Sequence, residues 1–514
     1  MIRLGLALAL LAAPAAAVPT DIVEKPIDAL SADMAAGRTS AVALVHAYKA
    51  RIKAIDPELH AVIAVDPDAM AQARMLDAER KAGRLRGPLH GIPIFIKDNI
   101  ESAGSLPTTA GSLALARNVT GRDAPLVARL RATGAIILGK TNLSEWANFR
   151  STKSTSGWSG VGGLTHNPYA LDRNPCGSSA GSGAAAAASL AAAAIGTETD
   201  GSIVCPSSVN GLVGLKPTVG LVSRTHIVPI SESQDTAGPM ARSVREVALL
   251  LTAIAGSDPA DAATADADSR RTDYVATLDV DALKGKRIGV MRFAAGFHPA
   301  VDALFDRAIA DMKAAGATIV EIPAFNLQPV RDAERGVLAP EFKDGVAAYL
   351  GSTDPAKVPS RTLADLIAFN RAHADTEMPW FGQETFERAE ATGGTADPAY
   401  RKAKADARRL AGPDGIDAML AKDHLDILIA PTNPPAWPSD LVNGGGASGG
   451  GASTLPAVAG YPHLTVPMGL VKGLPVGLSF IGPAWSEAKL LAIGYAYEQA
   501  THRREPPQYL PSVP

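Results

Sequence analysis

The chain has only two cysteines in 514 residues, Cys176 and Cys205, which is too few for a fold stapled by disulfides. Its charged residues amount to 20% and its net charge is -3, so it carries no electrostatic footprint for nucleic acid. Aromatic residues are sparse at 5%. No apolar run reaches the ~20 residues that a membrane span needs; the longest, residues 184–195, is dominated by alanine. No His/Cys cluster with ligand spacing suggests a metal, and neither a metal nor an organic cofactor is expected. What remains is 46% hydrophobic, ample for a large core and incompatible with wholesale disorder. Length alone suggests about three domains of roughly 150 residues. However, nothing between Leu85 and Pro483 reads as a polar linker, and one large α/β domain is the better expectation.

The first residues are a different object. Arg3 precedes the apolar run Leu4 to Ala13, and Ala15-Ala16-Ala17 offers a small-residue cleavage site before Val18 and Pro19. This is the layout of a secretory signal peptide over residues 1–17, followed by a mature chain over 18–514, and it predicts a periplasmic or secreted protein. The run is too short for an anchor, and no cysteine follows it to carry a lipid.

Helical apolar spacing marks Ile27 to Ile55 and Pro67 to Gly83, with Ser40 and Asp66 as start residues and Gly83 as a stop. Ile92 to Ile96 and Ala135 to Leu138 read as buried strands, with a helix over Ala124 to Ala132 between them. Residues 180–195, nearly all Ala, Ser and Gly, read as one helix that neighbours can approach closely. Further strands are expected at Arg287 to Met291, Thr318 to Ile322, Asp426 to Ile429, Leu464 to Val466 and Val476 to Ile481, with a helix at Val301 to Ala315. The glycine-rich stretch 443–453 reads as a flexible loop.

Three segments carry chemistry: Gly91-Ile92-Pro93-Ile94-Phe95-Ile96-Lys97-Asp98-Asn99, Cys176-Gly177-Ser178-Ser179-Ala180-Gly181-Ser182, and Gly196-Thr197-Glu198-Thr199-Asp200-Gly201-Ser202-Ile203. Ser179 sits in a G-x-S-x-G pattern, the nucleophile elbow of α/β-hydrolases. That reading needs a strand just before the turn, and Asn167-Pro168 and Asn174-Pro175 break one. Serines in Gly-rich stretches are ordinarily turn formers. Against that stands Lys97, which follows five residues of buried character and precedes Asp98-Asn99, where a strand does not easily continue.

Together the three segments resemble the amidase-signature family, and within it the peptide amidase branch. Asn210-Gly211-Leu212-Val213-Gly214-Leu215-Lys216-Pro217-Thr218, Asp235 to Met240, Gly473 to Gly477 and the stretch Lys140 to Arg150 match as well, so the resemblance is long. It implies a single α/β amidase domain with a central mixed twisted sheet covered by helices on both faces, catalytic segments within 85–240 and sheet completion within 285–500. It further implies Ser202 as nucleophile, Ser178 as bridging serine and Lys97 as base, supported by Gly177 and Ser179. The family's cis peptide bond falls at Gly177-Ser178, and its oxyanion hole on the backbone N–H groups of Thr199, Asp200, Gly201 and Ser202. Two departures stand out: Asp200 where many members have glycine, and Val204 where many have arginine.

The activity so implied is hydrolysis of carboxamides through an acyl-enzyme, foremost C-terminal peptide amides with release of ammonia. The substrate would be a small-molecule or short-peptide amide, with no membrane anchor and no obligate protein partner. A general aliphatic or aryl amidase of the same family is the nearest alternative. A transamidation subunit, working with partners on charged tRNA, fits poorly with export, and a non-catalytic binding protein fits poorly with intact Lys97, Ser178 and Ser202. Cys176 and Cys205 flank the two serine segments, but a bond needs Cα atoms about 5.5 Å apart and spacing does not supply that. Two buried free thiols are the simpler expectation.

Overall fold

The computed structural model describes residues 21–446 and 450–513. The expected signal peptide, residues 1–17, lies outside them, as do residues 447–449 of the glycine-rich stretch. In chain order the strands are β1 (Val62–Val65), β2 (Pro93–Lys97), β3 (Ile136–Thr141), the small pair β4 (Trp158–Ser159) and β5 (Gly163–Leu164), β6 (Ala193–Glu198), β7 (Val213–Lys216) and β8 (Thr236–Ala241). They continue with β9 (Arg287–Met291), β10 (Thr318–Ile322), β11 (Ile427–Pro431), β12 (His463–Val471) and β13 (Leu474–Ile481). All except β4 and β5 join one sheet in the order β1-β3-β2-β6-β8-β7-β12-β13-β11-β9-β10.

The sheet is mixed. β2 runs parallel to both β3 and β6, whereas β8 and β7 are antiparallel to their neighbours. Every residue of β2, β3, β6, β8 and β13 is buried, so both faces of the sheet are covered, and these strands read as continuous apolar runs rather than alternating ones. The flanking helices are the reason.

The helical spacing over Ile27 to Ile55 forms two helices, α1 (Ile27–Ala35) and α2 (Ala41–Leu59), the second starting at the expected Ser40. Gly37 turns the chain at φ +69°, and Ser40 caps α2 by accepting the N–H of Ala43 at 3.1 Å. α3 (Ala69–Lys81) and α4 (Pro125–Ala132) lie where apolar spacing places them. The reading of 180–195 as one helix is corrected: α5 (Ala180–Ala187) ends early, Ser189 adopts φ +54°, and the chain enters β6 at Ala193. Alanine favours a helix locally, but pairing of Ala194 and Ile195 with Phe95 and Ile96 on one side and with Met240 and Pro239 on the other overrides that preference.

The small residues of α5 serve close approach. A Cβ on Gly181 would stand 2.3 Å from the carbonyl oxygen of Ala61 and 2.6 Å from the backbone nitrogen of Asn142, so no larger residue fits. α5 thereby sits against the middle of the sheet, with the serine segment at its N-terminus facing the ends of β2 and β6.

Candidate active site

β2 stops at Lys97 because Asp98 and Asn99 turn away, each held by contacts of its own. The N–H of Asp98 donates to Thr141 O at 3.1 Å, and Asn99 Nδ2 donates to Thr197 Oγ1 at 3.0 Å. The lysine side chain is left wholly buried, with Nζ donating to Ser178 Oγ at 2.7 Å, to Thr197 Oγ1 at 2.9 Å and to Thr197 O at 3.3 Å. Burial pulls its pKa down to about 7, more than the carboxylates of Asp235 and Glu198 restore. A lysine at that value is an available proton acceptor in neutral water.

Ser178 follows a cis Gly177-Ser178 peptide bond. Its neighbour Ser179 ties the two serine segments together: the N–H donates to Ser202 O at 3.2 Å and the hydroxyl donates to Thr197 O at 3.0 Å. Ser179 is therefore engaged with backbone at the end of β6, and the residues before it form no strand, which removes the elbow reading.

Ser202 lies in the turn between β6 and α6 (Val204–Val209), where Gly201 takes φ +83°. The turn closes around one side chain. Glu198 Oε1 accepts the N–H of Gly201 at 2.9 Å, and Oε2 accepts those of Ile203 and Val204 at 2.7 and 3.0 Å. Of the four N–H groups expected at an oxyanion hole, those of Thr199, Asp200, Gly201 and Ser202, that of Gly201 donates to Glu198. Thr199 is held from the side by its hydroxyl, which donates to Asp235 Oδ1 at 2.6 Å. Asp200, the departure from glycine, accepts the Thr454 hydroxyl at 3.1 Å and so ties the turn to the C-terminal half.

The expectation of free thiols is also corrected. Cys176 and Cys205 are bonded, with Cα atoms 6.0 Å apart. Contacts from outside the pair bring them together: Ser179 holds Ser202, and Asn210 Nδ2 donates to Pro175 O at 3.0 Å. A cavity of about 600 Å³ opens beside the cluster, its lining including Asn99, Ala147, Thr197, Thr199, Ile230 and Asp235.

Thr197 and Glu198 escaped assignment from sequence although both lie inside the third quoted segment. A threonine and an acid just before a nucleophile turn are the signal that was there to use. Ser144, whose N–H donates to Ser178 O at 3.0 Å, lies in the matching stretch Lys140 to Arg150 but was given no role there.

The family model Amidase matches residues 43–491. The solved structure of native peptide amidase from Stenotrophomonas maltophilia is 53% identical, with a TM-score of 0.89 and coverage of 95% of this chain and 99% of that one. A probable amidase of Arabidopsis thaliana is 40% identical over 92% of this chain and 89% of its own length. The glutamyl-tRNA(Gln) amidotransferase of Synechococcus matches through one of its subunits, 37% identical over 95% of this chain and 94% of that one. The chain belongs to the amidase family. It is an amide-hydrolysing enzyme, with the single α/β domain of the peptide amidase structures. Among the described residues, no helix is long and apolar enough to cross a membrane.

Proposed function

We propose that this enzyme removes the C-terminal carboxamide of short peptides, releasing ammonia, by way of a Ser202–Ser178–Lys97 relay. The observation that carries the reading is the buried Lys97 Nζ at 2.7 Å from Ser178 Oγ, with its pKa pulled down to about 7. Neutral Lys97 takes the proton of Ser178, and Ser178 takes that of Ser202 as Ser202 Oγ bonds to the amide carbon. The oxyanion is met by the N–H groups of Thr199, Asp200 and Ser202. The relay then runs backwards, the C–N bond breaks, and the leaving NH₂ group departs as ammonia. Water, entering the same relay, hydrolyses the acyl-enzyme.

Likeness to the peptide amidase of Stenotrophomonas maltophilia supports the substrate class. The amidotransferase relative supports the same amide chemistry but acts, by its name, on glutamyl-tRNA. No obligate protein partner is part of this reading. Export to the periplasm or beyond belongs to the proposal too, motivated by the pattern of residues 1–17 and by a disulfide that suits an oxidising compartment.

The test is mass spectrometry of a peptide amide incubated with enzyme. A gain of about 1 Da per chain, with ammonia released and internal peptide bonds intact, is the expected result. Shortened fragments, or inert peptides beside rapid turnover of simple aliphatic amides, would leave the general amidase alternative.

A further inference from the structure

Beside Ser144, which contacts Ser178, lies a pair of acids that the reaction does not use. Glu145 and Glu377 are both buried, 2% and 0% exposed, and come from segments far apart in sequence. Glu145 Oε1 stands 2.7 Å from Arg150 Nε, and its Oε2 accepts the N–H of Gly160 at 2.8 Å. Glu377 Oε1 accepts the Ser112 hydroxyl at 3.1 Å and the N–H of Leu113 at 2.5 Å. Its Oε2 is buried with no donor among the described residues. A Cβ placed on Gly160 would stand 2.9 Å from Glu377 Oε2 and 3.1 Å from Glu145 Oε2, so the two oxygens flank one point.

The charged groups facing the pair are Arg150, packed against the rings of Trp158 and Phe381, and behind it Glu384, which holds Ser151 and Thr152. Two carboxylates against one guanidinium, out of water, leave an uncompensated charge unless one acid keeps its proton. Burial, and next the neighbouring Glu377 carboxylate, push Glu145 well above the usual carboxylate range, and Glu377 Oε2, with no donor among the described residues, stands ready to accept its proton.

The pair sits on the strut that holds the relay serine. Ser144, the residue before Glu145, donates its N–H to Ser178 O, and its hydroxyl accepts the N–H of Gly157 at 2.9 Å. A Cβ on Gly177 would meet that hydroxyl oxygen at 2.3 Å, so the fit around the Gly177-Ser178 peptide is close. Trp146, Ala147 and Asn148, directly after Glu145, all have positive φ, a conformation that persists only when its surroundings enforce it.

We propose that Glu145 and Glu377 share a single proton and act together as a positioning pair: protonated, they fix the Ser144–Ser178 contact, and loss of the proton at alkaline pH displaces Ser178 from Lys97. The proposal rests on the relay assigned above, and its test separates the two. Glu377→Gln supplies a neutral donor in place of the shared proton. It is expected to keep kcat/KM within a few-fold of wild type at neutral pH and to abolish the alkaline fall of the wild-type profile. Glu377→Ala is expected to lose at least tenfold at every pH.

Difference infrared spectroscopy on the intact enzyme needs no substrate and reads the proton directly. Over the bands of other buried acids such as Glu334 and Glu498, which both proteins share, one carbonyl stretch of a protonated carboxyl group should be present in wild type, vanish on alkaline titration and be absent from Glu377→Gln. A missing band in folded wild type, or an unchanged alkaline limb in folded Glu377→Gln, overturns the pair. Should Glu377→Gln fail to fold, Glu145→Gln replaces it, and the band that titrates in wild type must then be missing from that variant. A band that behaves as expected in an enzyme whose turnover survives Ser178→Ala would instead overturn the relay and spare the shared proton.

Discussion

Lys97 Nζ lies 2.7 Å from Ser178 Oγ with no water-exposed surface on either residue. An amine so placed loses hydration that protonation would require, and its neutral form becomes substantially populated near neutrality. The chemistry of the site follows from that one environment.

Ser202→Ala is expected to abolish both turnover and covalent labelling by a serine-directed phosphonate. Ser178→Ala and Lys97→Ala should fold and lose about 10²–10⁴-fold in kcat, the usual worth of proton transfer in place. Labelling followed by intact-mass measurement separates nucleophile from relay. Full activity in Ser202→Ala would sink the assignment.

The profile of kcat/KM should rise with pH through about 7, as Lys97 gives up its proton in the free enzyme. Stability should carry the same signature. The unfolded chain keeps this lysine protonated to about pH 10.4, so between about 7 and that value the unfolded state binds more protons and stability rises with pH. Denaturant titrations of Lys97→Met at several pH values should show a flatter dependence over that window. An identical slope in variant and wild type would mean the lysine is not depressed.

Replacing both cysteines by serine should cost stability and activity together. The bond closes a loop across a sequence separation of 29, for which chain entropy gives about 3–4 kcal/mol. Because the bonded residues lie next to the segments carrying Ser178 and Ser202, reductant should lower kcat before it unfolds the protein. Activity and circular dichroism followed through the same reductant titration test this.

Histidine substitutions should be nearly silent in catalysis. His90 binds Leu76 O at 2.9 Å and the N–H of Arg86 at 3.2 Å, far from the relay in contacts, and His226 lines the cavity without touching Lys97, Ser178 or Ser202. His90→Ala and His226→Ala should retain kcat within a few-fold. A loss of several orders of magnitude in a folded variant would reveal a histidine base.

Strands bounded by Gly or Pro and built from Val, Ile and Met were legible in sequence, and Arg287–Met291 and Thr318–Ile322 match to the residue. Lys97, Ser178 and Ser202 stood out as candidates because each sits in a short, distinctive segment, and the structure joins the first two by a hydrogen bond. β6 was hidden by its alanines. β7 and β8 carry Gly and Pro where strands usually carry branched residues, and their pairing comes from the whole sheet. The disulfide, the Glu198 contacts and the Glu145–Glu377 pair depend on residues meeting across the fold, which local pattern does not encode.

The sheet order also dictates a history for each new molecule. β1, β3, β2, β6, β8 and β7, with every relay residue, are complete once the chain reaches Ala241, yet the strand that covers the outer edge of β7 begins only at His463. At ordinary speeds of synthesis that edge stays naked for roughly ten to forty seconds. A half-made enzyme with an unpaired strand edge is a template for other chains, so the incompletely emerged chain, wherever it folds, is where its aggregation and its need for chaperones concentrate.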